Sequence, residues 1–242
     1  MSQRWRFGLV SLAALTGLVL TLMLGRWQLG RAAEKQQLQA RIEAQAALSV
    51  LDNAALFGLQ DPAQQGLHRS VQLQGRWLAG QTVYLDNRQM NAKPGLLVLT
   101  PLMLQGPGSR AILVQRGWVA RNFLDRSLIP TLVTPDGVVV VQGRMAPPPS
   151  KLYQMGPTDS GLIRQNLDLA AYRAETGLDL MAVSVLQTLG AGDGLLRDWP
   201  VANLGVDKHY GYAFQWFGLS GLIAVLYVWF QIVRKVKPTR RP

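Results

Sequence analysis

Apolar and polar positions are spread unevenly along this chain, and the two densest apolar stretches lie near its ends. From Phe7 to Leu24 the run "FGLVSLAALTGLVLTLML" carries no charge. As a helix it would rise roughly 27 Å, close to the hydrocarbon thickness of a bilayer. A second uncharged run, "GYAFQWFGLSGLIAVLYVWFQIV", extends from Gly211 to Val233, with Tyr212, Trp216, Tyr227 and Trp229 near its two ends. Aromatic residues at both ends of such a run suit the two interfaces of a membrane. No small-x-small cleavage pattern follows Leu24, where the chain reads "GRWQLGR". The first run is therefore expected to remain as an anchor.

Between these runs the period changes. After Gly30, "RAAEKQQLQARIEAQAAL" is rich in helix formers and lacks Gly and Pro, so it extends the first helix, and Asp61-Pro62 then breaks the chain. From Ser70, "SVQLQGRW" alternates strictly, as in a half-buried strand. "QTVYLDNR", "GLLVLTPLML", "RAILVQRGWV" and "GVVVVQGRM" follow, each bounded by Gly, Pro or Asp, and together they predict an antiparallel meander. Asp168 is placed to cap a short helix, "LAAYRAET", stopped by Gly177, before "MAVSVLQT" returns as a strand. The expected fold is an α+β membrane protein in which two transmembrane helices flank a mainly antiparallel, barrel-like β domain outside the cytoplasm. Its divisions are a cytoplasmic N-terminus (1–6), a first membrane helix (7–25), a helical linker (26–60), the β domain (61–208), a second membrane helix (209–233) and a basic cytoplasmic tail (234–242).

Charge decides the orientation. Arg4 and Arg6 precede the first run, and Arg234, Lys235, Lys237, Arg240 and Arg241 follow the second. By the positive-inside rule both termini are cytoplasmic, although Arg26, Arg31 and Lys35 weigh the other way locally. The net charge of +11 is thereby largely explained, since eleven of 25 basic residues lie beside the apolar runs. What remains between them is unremarkable for a soluble domain, and no nucleic-acid motif accompanies it. With no cysteine, disulfides and thiolate metal sites are excluded.

Most enzyme motifs are absent, including the zinc-protease His-Glu-x-x-His, the phosphate loop and the Gly-x-Ser-x-Gly elbow. "GAGDG", Gly190 to Gly194, reads as a turn rather than a nucleotide loop. Arg88 and Arg116 suit structural pairing with Asp86 or stacking on Trp118 as well as they suit holding a ligand carboxylate. Trp27 and Gln28 suit the outer end of the first span, and Gln215 within the second needs a polar partner. His68 opens a strand and is expected to be solvated.

The other histidine, His209, begins "HYGYAFQWFGL" at the entrance to the second apolar run. At about 100° per residue His209, Tyr212, Ala213, Trp216 and Ser220 share one helical face. Two readings fit. Tyr212 and Trp216 are interfacial aromatics and His209 marks a helix end, or the three form a perch for a flat amphipathic ligand such as a haem, with His209 as its axial nitrogen.

Four stretches together carry a resemblance: "LGRWQLGRAAEK" after the first run, "LDNRQMNAKPGLLVLTPLML", "LVQRGWVARN", and "HYGYAFQWFGL" entering the second. In order and spacing they resemble the Surfeit locus cytochrome oxidase assembly family over Leu24 to about Phe230. The resemblance implies a nonenzymatic assembly factor in the bacterial inner membrane with its β domain in the periplasm. It implies haem a as transient cargo, held by His209 as axial ligand with Tyr212 and Trp216 beside the ring. The implied partners are the oxidase's catalytic subunit, haem a synthase and membrane lipid, with no nucleic acid. Asp207, Lys208, Tyr210 and Gln215 stand where the family commonly has other residues, and the axial position is retained. Two alternatives remain at this point, a cofactor-free membrane scaffold for an oxidase intermediate and a membrane-anchored hydrolase.

Overall fold

The computed structural model describes residues 3–122, 124–125, 128–129, 131–153, 161–190, 192–199 and 205–233. The expected basic tail, 234–242, lies outside the described residues. The chain divides into two compact units, one formed by Met1–Arg41 with Ala202–Pro242 and the other by Ile42–Val201.

The larger unit is a barrel-like sheet. Its strands are β1 (Ser70–Trp77), β2 (Val83–Met90), β3 (Lys93–Leu104), β4 (Arg110–Ala120), β5 (Val138–Ala146), β6 (Ile163–Arg164) and β7 (Asp179–Gln187). The strand order β1-β5-β7-β4-β3-β2-β6 closes on itself because β1 also pairs with β3. The long strand β3 makes closure possible. Its first half pairs with β2, Val83 opposite Leu99 and Met90 opposite Lys93, while its end pairs with β1, Gly75 opposite Leu104. Burial on both faces explains its near-continuous apolar run. Leu97 and Leu99 join a cluster with Tyr172 and Leu180, whereas Leu96 and Val98 join one with Tyr84.

The expected meander is present in β2, β3 and β4, which pair antiparallel in sequence order. It does not continue. β7 enters between β4 and β5, antiparallel to β5 but parallel to β4. Parallel neighbours need a long connection, and the chain between β4 and β7 supplies it, including β5 and a helix. That helix, Leu169–Thr176, is capped as its sequence predicts. Asp168 accepts from the N–H groups of Ala170 and Ala171, and Gly177 closes the end with φ 68°. From the helix Tyr172 enters the core and donates its hydroxyl to the Gln81 carbonyl.

The helical linker expected over 26–60 differs in its second half. The first helix, α1 (Gln3–Ala46), ends well before Asp61, and 47–60 is built into the barrel. Leu51 bridges to Val71, and Asp52 caps the short α2 (Asn53–Gly58), whose Leu56 is fully buried. Asn53 ties this segment to the sheet, donating to the Gln74 and Gln105 carbonyls at 2.7 and 2.6 Å. A single bridge and a two-turn helix are too short to impose a period on the sequence. The third helix, the short α3 (Pro62–Gln65), is capped by Asp61, so the helix before β7 is α4 and the last is α5 (Val206–Tyr227).

Two outcomes test this packing. A Cβ on Gly95 would stand 2.3 Å from Trp118 Cζ2 and 2.4 Å from the Val119 carbonyl oxygen, while one on Gly80 would meet nothing within 4 Å. Gly95→Ala should destabilise the detergent-solubilised full chain by about 1–3 kcal/mol, read as a lowered thermal midpoint, and Gly80→Ala should not. Burial pushes the Tyr172 phenol from its usual 10.0 to about 12. A raised acid favours the neutral folded form, so its contribution is complete below pH 10 and is lost as pH rises toward 12. Tyr172→Phe should flatten the alkaline fall of the thermal midpoint, leaving the part due to Tyr84, whose burial raises its phenol as well.

Candidate functional site at the start of the second span

The smaller unit pairs α1 with α5, and both are long and apolar enough to cross a membrane. The less exposed positions of α1 include Leu18, Thr21, Gly25, Gln28 and Ala32, spaced alternately by three and four. Those of α5 are His209, Ala213, Trp216, Ser220, Ile223 and Tyr227, with the same alternation. A repeat of 3.5 residues is the signature of helices wound along a left-handed seam. The helices run antiparallel. Ser11 and Tyr227 share a hydrogen bond of 2.7 Å at one end, Gln28 and His209 one of 2.7 Å near the other, and the Tyr210 hydroxyl donates to Gln36 at 3.2 Å. Small residues set the approach, with Gly25, Ala32, Ala213 and Ser220 the buried members of the pair. Phe217 lies over Gly25, 2.7 Å from where a Cβ would be.

His209 sits in this seam, half-buried, three residues into α5. Its Nδ1 meets Gln28 Oε1 at 2.7 Å, and no hydrogen bond engages Nε2 among the described residues. Of the two aromatics expected beside it, Trp216 lies in the same seam and is half-buried, whereas Tyr212 stands next to the seam and is 52% exposed. The difference follows from the spacing 209, 213, 216, 220, which passes through Ala213 rather than Tyr212. Gln28, read from the sequence as an interfacial anchor, is instead the histidine's partner. The signal available was its place in the three-four repeat of α1. Trp27 is exposed beneath the Arg31 guanidinium, 5.7 Å from its ring centre, and Gln215 is exposed rather than paired across the helices.

The donor set fits a haem iron, with one imidazole nitrogen tied to an amide oxygen, the other without a hydrogen-bond partner among the described residues, and Tyr212 and Trp216 within a turn or two on its flank. A bare ion has less support. Among the described residues no group of three or more His, Cys, Asp or Glu could hold one.

In the barrel the two arginines have structural roles with partners other than those expected. Arg116, 2% exposed, stacks over Trp77 at 4.7 Å rather than on Trp118, and donates to Thr134 Oγ1 at 2.7 Å and to the Val133 carbonyl at 3.1 Å. Burial lowers its pKa, and Asp193, 3.9 Å away, opposes that shift. Arg88 donates to the carbonyls of Ser150 and Gln165 at 2.7 and 2.9 Å, while Asp86 pairs with Arg121 at 3.4 Å. Arg88, Trp118 and Trp199 line a cavity of about 500 Å³. The glycine cluster is a turn in which Asp193 and Arg197 pair, and Ala191 lies outside the described residues. His68, expected to be solvated, is half-buried with φ 68°, and burial followed by the Arg144 charge lowers its pKa.

These features define a protein with two candidate membrane helices flanking a small, mainly antiparallel barrel. A family model described as the SURF1 family matches residues 15–221, and the chain belongs to that family. It is similar to a SURF1-like protein of Rickettsia bellii, 24% identical over 222 residues covering 89% of this chain and 88% of the relative. SURF1-like proteins of Rickettsia conorii and Rickettsia felis are 27% and 26% identical, covering 85% and 90% of this chain and 84% and 95% of their own lengths.

Gly25→Leu should push the helices apart near His209, because the helical approach depends on the side chains at the contact. Spin labels at Leu22 and Leu219 should report an increase of about 1–2 Å, whereas Gly30→Leu, at a position with nothing within 4 Å, should leave the distance unchanged.

Proposed function

We propose that this protein is a nonenzymatic assembly factor for haem-copper cytochrome oxidase that carries haem a at the membrane boundary and passes it to the oxidase's catalytic subunit. Membership in the SURF1 family supports the oxidase assembly role. The observation that carries the haem reading is His209 itself, an imidazole at the start of a candidate membrane helix with one ring nitrogen anchored and the other without a hydrogen-bond partner among the described residues.

His209 Nε2 would supply a nitrogen to the iron as its axial ligand, and Tyr212 and Trp216 would lie beside the macrocycle. Haem brings its four equatorial nitrogens, so a single protein ligand suffices to hold it, and its redox iron is the chemistry delivered. One protein bond to the iron would also suit a carrier, because the cargo must be released to an acceptor protein. Haem a synthase is the donor in this scheme, and the lipid bilayer covers the apolar edge of the macrocycle. The basic residues beside the spans support the inner membrane with both termini cytoplasmic and the barrel in the periplasm.

The test is to purify the full chain from cells that also make haem a. The protein should carry a Soret band that His209→Ala weakens or removes. An unchanged spectrum and haem content in that variant would exclude the axial role, and copurification with the oxidase subunit without haem would identify a cofactor-free scaffold.

A further inference from the structure

We infer that Gln28 is the positioning residue for His209, selecting the imidazole tautomer that leaves Nε2 able to bind iron and setting how strongly it does so. The inference rests on the haem reading of His209. Its own basis is the 2.7 Å contact between His209 Nδ1 and Gln28 Oε1, which joins α5 to α1.

An amide oxygen only accepts hydrogen bonds. Paired with Oε1, Nδ1 carries the proton, so in neutral imidazole the lone pair resides on Nε2. Without that partner both tautomers are accessible and the ring rotates more freely about its side-chain torsions. Histidine ligands are commonly fixed by an acceptor on the other nitrogen, and the strength of that acceptor sets the basicity of the ligating one. The environment strengthens the contact, since His209 and Gln28 both lie on the half-buried seam, where hydrogen bonds are stronger than in water. An amide accepts less strongly than a carboxylate. Gln28 therefore makes His209 a directed but moderate ligand, the balance a site needs if its cargo is to leave.

A second cross-helix bond separates this role from mere docking of the helices. The Tyr210 hydroxyl donates to Gln36 Oε1 at 3.2 Å, tying the same ends of α1 and α5 without touching the imidazole. Gln36→Leu removes that tie and should leave haem binding unchanged.

The experiment uses the full chain in detergent, loaded with haem a, and compares Gln28→Leu, Gln28→Glu, Gln36→Leu and His209→Ala. Haem a affinity is read by titration and the iron's midpoint potential by reductive titration. Gln28→Leu should weaken binding about 10–100-fold and raise the potential. Gln28→Glu keeps an acceptor of greater strength and should retain binding while lowering the potential. In the His209→Ala background, Gln28→Leu should add no further loss. If both Gln28 variants match the parent in affinity and potential while His209→Ala loses haem, the positioning role is overturned and the axial reading stands. Equal losses from Gln28→Leu and Gln36→Leu would overturn it too, as helix docking alone would account for both. If His209→Ala keeps the parent's haem, the axial reading fails first and the positioning role with it.

Discussion

A polar group removed from water and left without a partner costs several kcal/mol in hydrocarbon and somewhat less inside a folded domain. Both units of this protein answer that constraint, by different means. In the helical unit each backbone bond is made within its own helix, so two long apolar helices need only side-chain complementarity to associate. Small residues at Gly25, Ala32, Ala213 and Ser220 let them approach, and polar side chains on the seam are satisfied within their own helix, as Thr21 is by the Gly17 and Leu18 carbonyls, or across the seam. Ser11 with Tyr227 and Gln28 with His209 pair across it. The candidate haem ligand is thus oriented by the requirement that brings the helices into register.

In the barrel the same constraint is met between strands. β3 is long enough to pair with three neighbours, β2 and β4 along its length and β1 at its end, which joins the two ends of the five-stranded ring. The buried Arg116 and the half-buried Arg88 follow suit at their terminal nitrogens. Arg116 is enclosed by the Trp77 face, a threonine hydroxyl and a carbonyl, while Arg88 is held by carbonyls of the segments around it. Both guanidiniums serve here as cross-links between strand and loop. Asp193 divides its charge between Arg197 and Arg116, anchoring the turn that the glycine cluster forms.

Local signals were legible wherever one short stretch contained the whole physical cause. The alternation in "SVQLQGRW" gives β1 its buried Val71, Leu73 and Gly75, and Asp168 with Gly177 bounds α4. The two uncharged runs marked the candidate spans by length and composition. Segment 47–60 was not legible, because Leu51, Asn53 and Leu56 owe their burial or bonding to Val71, Gln74 and the barrel core. Partners of long side chains were equally hidden. Arg88 and Arg116 have aromatic or acidic neighbours in sequence, yet their contacts come from 133–134, 150 and 165.

His209 brings the division to a single residue. Sequence determined its place at the head of an apolar helix and its kinship with Trp216 on one face, since helical geometry alone relates residues so close together. Only the tertiary structure decided that Ala213 rather than Tyr212 continues the seam and that Gln28 takes Nδ1. Those facts depend on the register of two helices whose paired residues, Gln28 and His209, are 181 positions apart along the chain, a quantity set by side-chain packing and hydrogen-bond satisfaction that no local pattern encodes.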